Sequence, residues 1–224
     1  MSENPRIFVE AYVETREQGE AAMAAGADRL ELCGPGEGGL TPDYATLGWL
    51  ATSQAYPVHA MLRPRAGDFV YDADEFEQMR RAIPRLRQHG GRGVVFGILR
   101  EDGSLDVERM AELTALADGM HVVCHRAFDA TPDADEALAQ LIALRVHEVL
   151  TSGHAATASE GTATLRRLKQ IANGRIAILA GGSVRAHNVR ELVAASGVQR
   201  VHARATDAAV IADIRRALDD APST

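Results

Sequence analysis

Carboxylate, imidazole, guanidinium and thiol groups recur in this sequence at one kind of place, the end of a short apolar run. The run ends read Glu10, Glu31 with Cys33, Arg63, Gly97, His125 with Arg126, Thr151 with Ser152, Gly181 with Gly182, and His202 with Arg204. Two carboxylates such as Glu10 and Glu31 act as acid and base when their surroundings hold them at different pKa values. An imidazole such as His125 titrates near neutral pH and can shuttle protons. Asp129, just beyond it, can orient that ring or cap a helix. Arg63, Arg65 and Arg126 can grip a carboxylate or phosphate through paired N–H donors. These types suit acid/base chemistry on a small anionic or phosphorylated metabolite. Glu10 or Glu31 would be the base, His125 the acid, and the arginines the anion holders.

Such groups work only if the elements bearing them converge. The apolar runs Ile7–Ala11, Arg29–Cys33, Val58–Leu62, Gly93–Leu99, Met120–His125, Glu148–Leu150, Arg175–Ala180 and Gln199–Ala203 read as strands. Helix patterns fill the gaps. Thr41-Pro42 reads as an N-cap and first-turn proline opening helix 2. Asp72–Glu75 puts acids at the start of helix 3, where the dipole favours them. Gly90-Gly91 and Gly174 read as helix ends. Eight strand–helix units predict an α/β chain, a single (β/α)8 TIM barrel over residues 1–224. In that fold the strand C-terminal ends surround one pocket. The length of 224 residues suits one such domain, and 46% hydrophobic residues suffice for its core. There is no linker or low-complexity tract, and Ala221–Thr224 reads as frayed.

Successive strand residues face opposite sides. Leu30 and Leu32 suit the helix-facing side of strand 2, so Arg29, Glu31 and Cys33 point inward. Strand 3 likewise turns His59, Met61 and Arg63 inward, strand 8 His202 and Arg204, and strand 1 Glu10. In strand 5, Val122 and Cys124 fit the outside and His125 the inside. Strands 4, 6 and 7 are too uniformly apolar or small to assign. Buried charges are costly unless paired, so part of this set reads equally as a self-neutralising network, Glu31 with Arg29 or Arg63. Ala180-Gly181-Gly182-Ser183 is a tight turn or a phosphate cradle, a common use of the loops after barrel strands 7 and 8. The loop Arg63–Tyr71 is a lid, or a connection with Phe69 and Tyr71 tucked onto the helices. Gly34–Gly39 also reads as a segment able to close over the site.

A net charge of −7 argues against nucleic acid or anionic lipid as partner. No run approaches the ~18 apolar residues of a membrane span. The polar start, Met1–Arg6, lacks a signal-peptide core. Two cysteines, neither in a CxxC, predict a reduced, cytoplasmic protein.

The chain resembles the copper-homeostasis protein CutC family nearly end to end. The resemblance is carried by Val9-Glu-Ala11, Asp28–Cys33, Gly38–Pro42, Met61–Arg65 with Gly67–Tyr71, Val95-Phe-Gly97, His125–Asp129, Leu150–Gly153 and Val201-His-Ala203. It implies a cytoplasmic barrel, often a homo-oligomer, assigned to copper homeostasis and copper binding. Tyr12 stands where a cysteine is frequent, Cys124 where an aromatic is usual, and Ala180 and Ser183 where proline and glycine are frequent. After the strand-8 histidine the family's Ser-Ala-Arg is replaced by Arg204-Ala-Thr206. Cu(I) prefers soft sulfur ligands and accepts imidazole. Cys33 and Met61 face inward on adjacent strands, with His59 a layer below, and form the best Cu(I) set. Cys124 faces the helices and does not join it. Trp49 on helix 2 reads as a packing residue or a dimer contact.

Overall fold

The structure is a computed structural model describing residues 6–205 and 207–220. Most of the polar start, Thr206 of the strand-8 comparison and the end 221–224 lie outside the described residues. Eight parallel strands close into a barrel in chain order: β1 (Phe8–Val13), β2 (Arg29–Leu32), β3 (Val58–Met61), β4 (Gly93–Phe96), β5 (His121–Cys124), β6 (Glu148–Thr151), β7 (Ala177–Ala180) and β8 (Arg200–Arg204), which pairs back with β1. The helices are α1 (Arg16–Ala24), α2 (Tyr44–Gly48), α3 (Ala73–Gln88), α4 (Val107–Leu116), α5 (Ala134–Ala143), α6 (Thr162–Ala172), α7 (Val189–Ser196) and α8 (Ala208–Asp219). A π-helical turn at Trp49–Ser53 extends α2, and a 3₁₀ turn at Arg126–Ala130 follows β5. This is the predicted (β/α)8 architecture.

The alternation of side chains divides the core in two. Leu30, Leu32, Val58, Ala60, Val122 and Cys124 pack outward with the helices. Tyr12, Cys33, Met61, Val95, Val123, Leu150 and Leu179 form a separate lumen cluster. Strands β4, β6 and β7, unassignable from sequence, thus send Val95, Leu150 and Leu179 inward. The two cysteines fall on opposite sides of the wall, as parity predicts.

Helix starts follow local chemistry. Asp72 and Glu75 make a reciprocal capping box at α3, and Asp133 caps α5. Helix α2 starts later than predicted, because Asp43 and not Thr41 is its cap. Thr41 instead clamps the end of β3. Its Oγ1 accepts from the Arg63 N–H at 2.9 Å, and its own N–H donates to the Arg63 carbonyl at 2.9 Å. Trp49 packs partly buried against the outer core, with the Arg16 guanidinium 5.5 Å from its ring centre.

Candidate functional site

The lumen holds charge in two layers. In the lower one, register sets Glu10 beside Arg29 on β2 and His202 on β8. Arg29 donates to Glu10 at 2.5 Å and also pairs with Glu148. Arg200 reaches Glu148 at 3.2 Å, and His202 Nδ1 lies 2.9 Å from Glu10 Oε1. The expected partner of Arg29, Glu31, is not bonded to it. Glu31 sits one step up, opposite Tyr12 and His59. Glu148 was not singled out in the sequence because β6 reads as an apolar run. An acid inside an otherwise apolar strand run was the available signal. His59 stacks on His121 with ring centres 4.9 Å apart, and His121 on His147 at 4.7 Å. Gly93 makes room for it, since a Cβ there would lie 2.5 Å from the His59 ring.

Glu31, Arg63 and His125 make the upper layer, and all three are buried. Glu31 Oε2 lies 3.7 Å from His202 Nε2, while Oε1 has no partner among the described residues. Burial pushes the Glu31 carboxyl up, His202 pulls it back and Glu10 adds to the push, leaving it at about 7. Glu10 feels the same burial, but Arg29 and His202 outweigh it and hold the carboxyl well below its ordinary range. Two carboxylates on adjacent strands whose surroundings push their pKa values in opposite directions is the arrangement that separates acid from base. His202 is raised: burial opposes its charge, but Glu31 and Glu10 favour it more.

Among the described residues the Arg63 guanidinium bonds to carbonyls, Glu37 at 2.8 Å and Gly67 at 2.7 Å, with Gly39 at 3.5 Å. Its Nε has no partner among the described residues. It therefore fastens the Gly34–Gly39 loop to the loop after β3. His125 Nδ1 accepts from the Ala127 N–H at 3.1 Å, which leaves the proton on Nε2, also unpartnered. Burial, helped by Arg63, pushes this imidazole down to about 3. This lowering favours the neutral ring, whose Nε2–H is a hydrogen-bond donor, over the imidazolium acid the sequence suggested. Gly97 backs the ring, since a Cβ there would lie 2.8 Å from Nδ1. Phe69 is not merely tucked onto the helices. Its ring stands 4.8 Å from His125 and 5.0 Å from the Arg63 guanidinium and lines the cavity.

Above these groups opens a cavity of about 560 Å3, lined among others by Tyr12, Glu31, Met61, Arg63, Phe69, His125, Leu150 and His202. Arg126, Gly182, Ser183, Arg185 and Arg204 stand around it. Arg185, missed in the sequence, lies two residues past Ser183. Arg126 donates to Asp129 at 2.8 Å and Ser152 at 3.0 Å. Asp129 neither orients His125 nor caps α5. It accepts from Ser152 N and Oγ, His154 N and Thr151, and so folds the loop after β6. Arg204 lies at the rim, bonded to Glu14 at 2.8 Å. Arg65 is outside the cavity, turned to Glu75 at 2.5 Å and Asp68 at 2.8 Å. Gly181 is a spacer, since a Cβ there would lie 2.5 Å from Leu150. Only Gly182 and Ser183, both at positive φ, face the cavity from that turn.

Copper can be tested against these donors. Cys33 and Met61 share the lumen cluster, but Cys33 does not line the cavity. Its Sγ lies under Gly39, where a Cβ would come within 2.8 Å, and 3.8 Å from Glu31 Oε2. Burial and Glu31 push the thiol well above its ordinary pKa, away from the thiolate that Cu(I) binds. Among the described residues, the His, Cys and acidic side chains that converge within 4.8 Å are Glu10, Glu31 and His202. That oxygen-rich set contains neither Cys33 nor His59, and its Glu10 is already paired with Arg29. The donors present suit Cu(I) poorly.

The class is therefore a (β/α)8 barrel whose ionisable strand ends surround one mouth. The model of the CutC family matches residues 7–207, and the chain belongs to that family. It is 46% identical over 187 residues to a CutC family protein of Agrobacterium fabrum, covering 82% of this chain and 73% of that one. A Rhizobium meliloti relative is 41% identical over 211 residues, 94% and 86% of the two chains. The solved structure of a CutC from Streptococcus agalactiae, named for copper homeostasis, superposes with TM-score 0.84 at 31% identity, covering 89% of this chain and all of that one. Deoxyribose phosphate aldolase from Aeropyrum pernix, at 13% identity and TM-score 0.68 over 95% of this chain and 89% of that one, shares the fold alone. No helix among the described residues is long and apolar enough to cross a membrane.

Proposed function

We propose that this barrel binds a small anionic or phosphorylated metabolite at its mouth and performs acid/base chemistry on it. Glu31 is the proton-transfer group, Glu10 and His202 set its pKa, and Arg63 and His125 are the donors that meet the ligand. Arg126, Ser183 and Arg204 lie where a further anionic group would sit. One observation carries the reading. Glu31 Oε1, Arg63 Nε and His125 Nε2 are buried, have no partner among the described residues, and belong to residues lining one cavity. Nearly all buried polar atoms in folded proteins are paired, and an unpaired one costs about 1–3 kcal/mol. Three around one cavity support a ligand that completes them. A thermal-shift screen with sugar phosphates and hydroxy acids tests this. A ligand at 100-fold its Kd adds about 2.7 kcal/mol of stability. Finding no stabilisation by any of them, or one unchanged in Arg63→Met, would overturn the proposal.

The family's association with copper supports a second reading, in which Cu(I) is a cargo held by Cys33 and Met61 in the reducing cytoplasm. Their adjacency in the lumen favours it, and the sealed, protonated thiol ranks it second. Competition against a Cu(I) chelator decides: a wild-type affinity kept by Cys33→Ser removes this site.

A further inference from the structure

We infer that the mouth is built to remove a proton from a carbon next to a carbonyl, with Glu31 as base and Arg63 and His125 holding the carbonyl oxygen. The inference rests on the anion-binding reading above and adds the reaction and the substrate class, a small anionic α-hydroxy carbonyl compound.

The argument starts from what Arg63 can no longer do. Its Nη1 and Nη2 are engaged by the carbonyls of Glu37 and Gly67. The paired fork that grips a carboxylate is thus occupied, and Nε–H is the donor left without a partner. His125 likewise offers one N–H, from Nε2. Phe69 lies against both side chains, and all three residues line the cavity. Two single donors match the two lone pairs of one oxygen. Glu31, which carries the unpaired acceptor Oε1, comes from β2 and lines the same cavity. Met61, Leu150 and Phe69 supply apolar lining that keeps water from competing for these groups. The protonation states agree. A carboxyl near 7 is a base matched to neutral pH, and a neutral imidazole can stabilise an enolate oxygen by hydrogen bonding.

In the step, Glu31 takes the proton from the carbon beside the carbonyl. The C–H electron pair becomes the carbon–carbon double bond, and the carbonyl π pair moves onto oxygen between the Arg63 and His125 donors. Return of the proton from Glu31 to the same carbon restores the carbonyl with exchange or inversion at that centre. No oxidant, reductant or co-reactant enters.

The test incubates the full chain in D2O with dihydroxyacetone phosphate and, separately, hydroxypyruvate, following the α-protons by 1H NMR and the melting temperature in parallel. Wild type should replace α-protons by deuterium faster than buffer. Glu31→Gln should slow this by about 10²–10⁴-fold while keeping the ligand-induced melting shift. Glu31→Asp, which keeps a displaced carboxylate, should fall between them. A melting shift without exchange above buffer, or exchange unaltered in Glu31→Gln, overturns the inference and leaves anion binding standing. Neither shift nor exchange with either probe overturns both.

Discussion

The lower and upper layers of the lumen both bury charged groups, yet the acids of the lower layer are all paired and the acid of the upper layer is not. Below, Arg29 bonds both Glu10 and Glu148, Arg200 and His202 complete the ionic set, and only ring nitrogens of the neighbouring His59 and His121 lack partners among the described residues. Above, Glu31, Arg63 and His125 each keep an unpartnered atom. Buried charge is tolerable where it is paired and hydrogen-bonded. The lower layer therefore reads as structure, holding the barrel together where the strands enter. The upper layer reads as a site, because its unmet hydrogen bonds belong to residues that line a cavity. What separates them is the identity of the neighbours that strand register brings alongside, and not burial.

The comparison can be broken most forcefully from below. Arg29→Met removes the cation that bonds both acids and should destabilise the fold by about 3–5 kcal/mol in chemical denaturation. A loss under about 1 kcal/mol would mean that the lower layer is not a closed network. From above, Glu31→Gln should instead help the fold in one pH range. The Glu31 pKa is raised from 4.5 to about 7 on folding. Between those values the folded chain keeps a proton that the unfolded chain has lost. This group's contribution to stability therefore falls as pH rises through that window, by on the order of 3 kcal/mol in all. Glu31→Gln should remove that slope, making the variant more stable than wild type at pH 8. A slope that survives places the raised carboxyl elsewhere. Glu10, whose pKa is lowered, acts in the opposite sense, and its contribution is lost as pH falls below 4.5.

Arg63→Met should abolish the ligand-induced melting shift. It should also loosen both loops it fastens, so their amide protons exchange faster with solvent. Slower or unchanged exchange would show that the loops do not depend on it. The smallest effect is expected of Arg65→Ala. Its ion pairs lie at the surface, where such pairs contribute ~0–1 kcal/mol, and it stands outside the cavity. A lost ligand shift in that variant would move the anion site away from the upper layer.

Much of the fold was legible because local rules carry it. Apolar runs, an acidic first turn at Asp72–Glu75 and strand parity gave the barrel, its direction and the inward set Glu10, Arg29, Glu31, His59, Arg63, His125 and His202. Where short-range signals competed, they misled. Thr41-Pro42 has the form of a helix start, but Thr41 is bonded to Arg63, 22 residues away. Asp129 stands at cap-like spacing, yet the donors around it come from the loop after β6. Arg65 shares a motif with Arg63 but falls on the far side of the turn. Glu148 was hidden in an apolar run.

By itself the sequence determined which residues of strands 1, 2, 3, 5 and 8 point into the lumen, since alternation along a strand is a property of the backbone. It also separated Cys33 from Cys124, which parity places on opposite faces. Only the tertiary structure decided the pairings. Register set Arg29 beside Glu10 and barrel closure brought Glu148 of β6 to it across the lumen, while Glu31 kept an unbonded oxygen and the Arg63 charge came beside a buried His125. Pairing and desolvation depend on atoms distant in the chain, and they determine which of these like-looking charged residues hold the barrel together and which are free to meet a ligand.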